Sequence, residues 1–185
     1  MIEPRIYLSS PHMGGTEMDY VKEAMDTNWV APLGPNVNGL EEDLKVYNKI
    51  GNCTVLSSGT AALHLALILL GVEQGDEVLC STFTFSATAN AIAYQKAKPI
   101  FIDSESDTWN MCPDTLEIAI QDRISKGIKP KAIIIVHLYG MPSKMDELLE
   151  VCAKYEIPII EDAAEALGAT YKGKKMGTFG SLGVY

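Results

Sequence analysis

The sequence predicts an α/β fold of three layers, a mostly parallel sheet with helices on both faces. Short β-branched runs alternate with helical periodicity along most of the chain, the pattern of successive strand–helix units. One run, Lys131–His137 (KAIIIVH), is apolar along its centre, as a strand covered on both faces must be. The chain is long enough for a real core. Its 185 residues, 47% hydrophobic and 21% charged, read as one domain over 1–185. Such a domain buries roughly 70% of the surface its unfolded form exposes.

The elements follow in order. Thr16–Met25 reads as a helix with a threonine cap and an acid three residues on, resembling a capping box. The loop Asn28–Asn38 (NWVAPLGPNVN) holds two prolines and a glycine, yet carries apolar Trp29, Val30 and Leu33. A helix over Gly39–Lys49 precedes a strand at Cys53–Ser57 (CTVLS), and SSGT then opens an apolar helix that ends at Gly71. Strands are expected at Asp76–Ser81, Lys98–Asp103, Lys131–His137 and Ile157–Glu161. Between them lie helices within TFTFSATANAIAYQKA, over Pro113–Lys126 and over Pro142–Tyr155. From Gly168 on, glycines mark turns between short strands, and the chain closes on the strand-like LGVY. Natural domains rarely stop on an uncovered apolar strand, so the expectation is a piece of a larger protein, incomplete at its carboxyl end.

Composition removes several classes of function. With 15 Lys+Arg against 24 Asp+Glu the net charge is −9, and no basic stripe offers a footprint for nucleic acid. The four cysteines lie far apart without a CxxC or a nearby histidine pair, which argues against a metal site or a disulfide framework. The opening MIEPRIYLSS lacks the features of a signal peptide, and the longest apolar runs fall far short of a membrane span. The expected location is the cytoplasm.

In open parallel sheets ligands bind beyond the carboxyl ends of the strands, so the residues there carry the chemistry. Ser58-Gly59-Thr60-Ala61 opens a helix with small residues, free N–H groups and hydroxyls, suited to a phosphate; an ordinary helix cap accounts for it equally well. Phe85 follows the strand ending at Ser81 and could stack on a flat ring, although such aromatics more often fill a core. His137 is either a proton carrier or a buried structural group. Glu161 and Asp162 end an apolar strand, where carboxylates are costly unless partnered. The small Ala163-Ala164 after Asp162 leaves room for a ring whose protonated nitrogen would be that partner, and a helix-capping aspartate is the plainer alternative.

Taken in order, SSGTAALHLAL, GDEVLCSTFTFSATANAI, KPIFIDS, VHLYG and IIEDAAEALGATYKGKKMGTFGSLGVY resemble the DegT–DnrJ–StrS family of sugar aminotransferases. These are pyridoxal-phosphate enzymes of fold type I, and the similarity covers essentially the whole chain. SSPHMGG, NWVAPLGPNVN and EDAAEALG are most similar to members that aminate UDP-4-keto-6-deoxy-N-acetylglucosamine in bacillosamine-type pathways.

The resemblance implies a role at each matching position. Ser58, Gly59, Thr60 and Ala61 match the phosphate cup, Phe85 the stacking aromatic, and Asp162 the carboxylate on the pyridine nitrogen. Glu165 matches a neighbouring cofactor position where relatives often carry glutamine or histidine. Asn28, Trp29, Val30 and Ala31 match a segment lining the nucleotide-sugar site. The resemblance further implies glutamate as amino donor, a UDP- or dTDP-linked keto sugar as acceptor, and a homodimer. In the family the lysine that forms the Schiff base follows GVY, so it is expected past Tyr185, and the small carboxyl-terminal domain lies beyond it. The chain as given is therefore expected to lack aminotransferase activity. A histidine at the lysine position would imply a sugar dehydratase, and a true stop there a regulatory protein on the same fold.

Overall fold

A computed structural model describes residues 5–7 and 10–185, and the chain divides into two compact units, residues 1–55 and 56–185. Parts of the opening MIEPRIYLSS and SSPHMGG segments lie outside the described residues.

The first unit carries two helices, α1 (Glu17–Asp26) and α2 (Pro35–Asn48). The expected capping box at Thr16 does not form. Thr16 sits at φ −107°, ψ −2°, a helical conformation, whereas a capping side chain needs extended backbone to reach back to the helix. The Glu17 carboxylate accepts from the N–H groups of Gly14 and Gly15 instead. Helix α2 starts four residues before the expected Gly39 because Pro35 takes its first turn, where a missing N–H costs nothing. Gly34, at φ 140°, is required there: a Cβ would stand 3.1 Å from the Trp29 ring. The strand expected at Cys53–Ser57 is not a strand. The Thr54 hydroxyl and the Val55 N–H both donate to the Glu41 carboxylate on α2, at 3.2 and 2.9 Å.

The second unit follows the predicted alternation. It runs α3 (Gly59–Leu69), β1 (Glu77–Ser81), α4 (Ser86–Tyr94), β2 (Lys98–Ile102), α5 (Pro113–Ser125), β3 (Ala132–Val136), α6 (Met145–Tyr155) and β4 (Ile159–Asp162). A two-residue hairpin, β5 (Thr170–Tyr171) and β6 (Lys174–Lys175), precedes β7 (Leu182–Val184). The main sheet has the order β2-β1-β3-β4-β7, and every pair in it is parallel. Both β3 and β4 are interior strands, as their β-branched sequences require. Helix α6 begins at Met145 rather than Pro142, because Ser143 is held by the end of β3: its hydroxyl donates to the Val136 carbonyl at 2.9 Å. Strand β4 begins at Ile159, since Pro158 has no N–H for the ladder.

Alternation along the strands sorts the core into two layers. Leu79, Ile133, Ile135 and Ile159 face α5 and α6, with Met111, Leu116, Ile120, Met145 and Leu148. Val78, Cys80, Ile134 and Ile160 face α3 and α4, with Leu63, Leu67, Ala91 and Ile92. By the same period, Glu161 faces the α5/α6 layer and its neighbour Asp162 the α3/α4 layer.

Candidate functional site

The carboxyl end of the sheet collects the polar groups. Helix α3 leads through residues 70–76 into the amino end of β1, so it runs back along the sheet and its own amino end lies at the carboxyl edge. Ser58 caps it in extended conformation (φ −168°, ψ 159°), its Oγ accepting from the Ala61 N–H at 3.1 Å. Its carbonyl takes the Ala62 N–H at 3.0 Å. The N–H groups of Gly59 and Thr60 are left with no protein acceptor among the described residues, and the space beside Gly59 is open. Two free N–H groups at the positive end of an eleven-residue helix, beside a glycine, fit a phosphate. Of the four residues expected in the cup, Gly59 and Thr60 have donors to give, while the Ala61 N–H is taken by Ser58.

Asp162, the last residue of β4, is only 7% exposed. Its Oδ2 accepts from the Thr88 hydroxyl at 2.9 Å, and its Oδ1 has only the long contact to the Ala164 N–H at 3.4 Å. Thr88 has one hydroxyl hydrogen, which goes to Asp162, so the Thr84 hydroxyl must be the donor in the 2.9 Å contact between the two threonines. Burial raises the Asp162 carboxyl above its ordinary value, against the lowering effect of Thr88 and Ala164. An ionised Asp162 here is a charge short of a partner, and a protonated ring nitrogen is a donor of the right kind.

Thr88 was not legible as a site residue. It lies in the first turn of α4 in an ordinary-looking small-residue run, and only its place on the buried face with Ala91 and Ile92 marks it. Phe85 stands just before that turn, at the helix cap position, and the residue is 75% exposed. The Thr88–Asp162 bond therefore brings Asp162 to the turn that Phe85 opens.

The other predicted residues are placed differently. Glu165 accepts from the Tyr139 N–H at 2.6 Å and so braces the turn after β3, where Tyr139 has φ 52°. His137 is buried on the α5/α6 side, bonded to Glu161 and Ser143, and does not present a free ring nitrogen to Asp162. In the first unit, Asn28 closes α1: it sits at φ 58°, its N–H donates to the Met25 carbonyl, and the Trp29 N–H donates to the Ala24 carbonyl. That pattern is a Schellman motif, with asparagine taking the left-handed position usually held by glycine. Asn28, Trp29, Val30 and Ala31 are all exposed.

An open parallel α/β scaffold with free N–H groups at a helix end and a buried carboxylate at the carboxyl end of the sheet defines a class of folds suited to binding a ligand. Within it, the model of the DegT/DnrJ/EryC1/StrS aminotransferase family matches residues 11–185, and the chain belongs to that family. It is 55% identical over 181 residues to EpsN of Bacillus subtilis (strain 168), assigned as a pyridoxal phosphate-dependent aminotransferase, covering 98% of this chain and 47% of that relative. It is 41% identical over 175 residues to GDP-perosamine synthase of Escherichia coli O157:H7, covering 95% and 46%. The structure superposes on the pyridoxal-phosphate form of Spr1654 from Streptococcus pneumoniae, assigned as a sugar aminotransferase. That match has a TM-score of 0.85 at 33% identity, covering 95% of this chain and 47% of that one. The chain thus spans about half the length of these relatives. Among the described residues no helix is long and apolar enough to cross a membrane.

Proposed function

We propose that the full-length protein is a pyridoxal-phosphate-dependent aminotransferase that moves an amino group from glutamate to a nucleotide-linked keto sugar. We take it to work in the cytoplasm as a homodimer. The observation that carries this reading is Asp162: a buried carboxylate with one well-bonded oxygen and one nearly free, on the same sheet edge as the unfilled N–H groups of Gly59 and Thr60. The names of the relatives support the chemistry, since EpsN is described as a pyridoxal phosphate-dependent aminotransferase and another relative is a GDP-perosamine synthase.

Pyridoxal phosphate, when bound, supplies an electron-withdrawing ring that carries an amino group from one substrate to another. This chain supplies what holds and tunes it. The N–H groups of Gly59 and Thr60, with the α3 dipole, hold the phosphate. The exposed Phe85 ring offers an apolar face. Thr88 orients Asp162, and the Asp162 carboxylate keeps a proton on the ring nitrogen. Each partner favours the other's charged form, so ligand binding pulls the Asp162 pKa back down from its raised value. The lysine that attaches the cofactor is expected in the segment after β7. The acceptor sugar is a UDP- or dTDP-linked keto sugar, and the resemblance of SSPHMGG and NWVAPLGPNVN makes UDP-4-keto-6-deoxy-N-acetylglucosamine the first one to try.

The test is transamination by the full-length protein with glutamate and that sugar, wild type against Asp162→Asn. Loss of one pre-organised electrostatic partner predicts a drop of roughly 10²–10³-fold in kcat with the cofactor still bound. Equal turnover by both proteins contradicts the reading.

A further inference from the structure

Glu161 is fully buried, and it is ringed by donors. Its Oε2 accepts from His137 Nε2 at 3.1 Å and from the Gly177 N–H at 2.8 Å. Its Oε1 accepts from the N–H groups of Phe179 and Gly180, both at 2.5 Å. The protonation of His137 follows from its other partners. The Ser143 N–H donates to Nδ1 at 3.3 Å, and the Ser143 hydroxyl hydrogen goes to the Val136 carbonyl, so Nδ1 accepts and Nε2 carries the proton. His137 Nε2 therefore donates to the Glu161 carboxylate. Burial raises the Glu161 carboxyl, but the bonds from His137, Gly180 and Gly177 outweigh it and the net shift is downward.

Three of the four donors belong to one loop, residues 177–180, which feeds directly into β7. The loop is packed without slack: a Cβ on Gly180 would stand 2.8 Å from the Ile159 carbonyl oxygen, and Gly183 lies against the Gly177 carbonyl with no room for a side chain. Beyond the loop, the Ser181 N–H bonds the Ile159 carbonyl at 2.9 Å, and Leu182 pairs with Ile160 and Val184 with Asp162. The Ala163 N–H then bonds the Val184 carbonyl at 2.8 Å. The loop that Glu161 grips thus sets which residue of β7 stands beside Asp162.

We propose that Glu161, fixed by His137, is a positioning residue: by clamping the 177–180 loop it sets the register of β7 against β4, so that the chain leaving β7 starts beside Asp162. The clamp itself stands on the geometry alone, and its consequence for the cofactor rests on the functional reading above.

The experiment is hydrogen exchange on the full-length protein, first without and then with pyridoxal phosphate. Glu161→Gln places an NH₂ against donors, and exchange of the amides over 177–184 should rise about tenfold or more, while those of β1 and β3 keep their protection. His137→Gln, whose amide can accept from Ser143 and donate to Glu161, should retain protection of the loop, and His137→Leu should lose it; these two variants decide the matter if Glu161→Gln does not fold. With pyridoxal phosphate bound, Glu161→Gln should shift the pH midpoint of the cofactor's absorbance change and His137→Gln should leave it in place. Unchanged exchange over 177–184, an equal rise throughout the sheet, or an unmoved midpoint in Glu161→Gln overturns the proposal. A wild-type protein that binds no pyridoxal phosphate contradicts the functional reading instead, and the exchange data on the unliganded protein still decide the clamp.

Discussion

Glu161 and Asp162 are consecutive carboxylates at the end of one strand, and the period of the strand sends them into opposite layers. On the α5/α6 side, Glu161 meets four N–H donors and its pKa falls. On the α3/α4 side, Asp162 meets one good donor and one distant one, and its pKa rises. Burial is nearly the same for both, so hydrogen bonding to the charged form decides the direction of the shift. A saturated carboxylate is a structural anchor. An unsaturated one has capacity left for a further donor.

That contrast can be broken or sharpened in four ways. The largest effect expected is on turnover: Asp162→Asn should raise the transamination barrier by about 3–4 kcal/mol, read from kcat, and leave thermal stability equal or higher because an underpaired buried charge is gone. Glu161→Gln should do the reverse at the level of the fold. It leaves buried donors unpaired and should cost about 2–3 kcal/mol in denaturant unfolding. Thr88→Val removes the single strong bond to Asp162 and should raise that carboxyl further. In the unliganded protein it should cost about 1.5–3 kcal/mol, the worth of a hydrogen bond to a charged group; the same loss in an Asp162→Asn background would show that the threonine does not act through the aspartate.

The smallest effect is in the pH dependence, where the two groups have opposite signs. Glu161 titrates below its ordinary 4.5 in the folded chain, so below that pH the unfolded chain binds more protons and stability is lost as pH falls through the folded value. Asp162 titrates above its ordinary 3.8, so the folded chain holds its proton longer and stability falls as pH rises through that window. Comparing melting temperature against pH for wild type, Glu161→Gln and Asp162→Asn separates the slopes: the first variant should flatten the acid loss and the second should flatten the decline on the rising side.

Much of this was legible in the residues. KAIIIV and IPII are β-branched and apolar, and both became interior strands; Asp162 stood out because a carboxylate after such a strand must find a partner. What was not legible depended on backbone groups or on distance. Three of the four donors to Glu161 are main-chain N–H groups 16 to 19 residues away, which have no side-chain signature. Thr88 hid in a helix because a hydroxyl there usually faces solvent or its own backbone. CTVLS has strand-like composition but pairs with no strand among the described residues, and the Thr54 hydroxyl and Val55 N–H go to Glu41 on α2. The turn at Asn28 that ends α1 is likewise made by backbone groups.

The central claim, that Asp162 keeps a proton on the ring nitrogen of a bound cofactor, can be measured directly. Full-length protein carrying pyridoxal phosphate labelled with ¹⁵N in the ring should show a protonated nitrogen shift well above the pH at which the free cofactor loses that proton. Asp162→Asn, with phosphate still held at Gly59 and Thr60, should show the deprotonated shift at the same pH. Identical ring-nitrogen shifts in the two proteins would contradict the account.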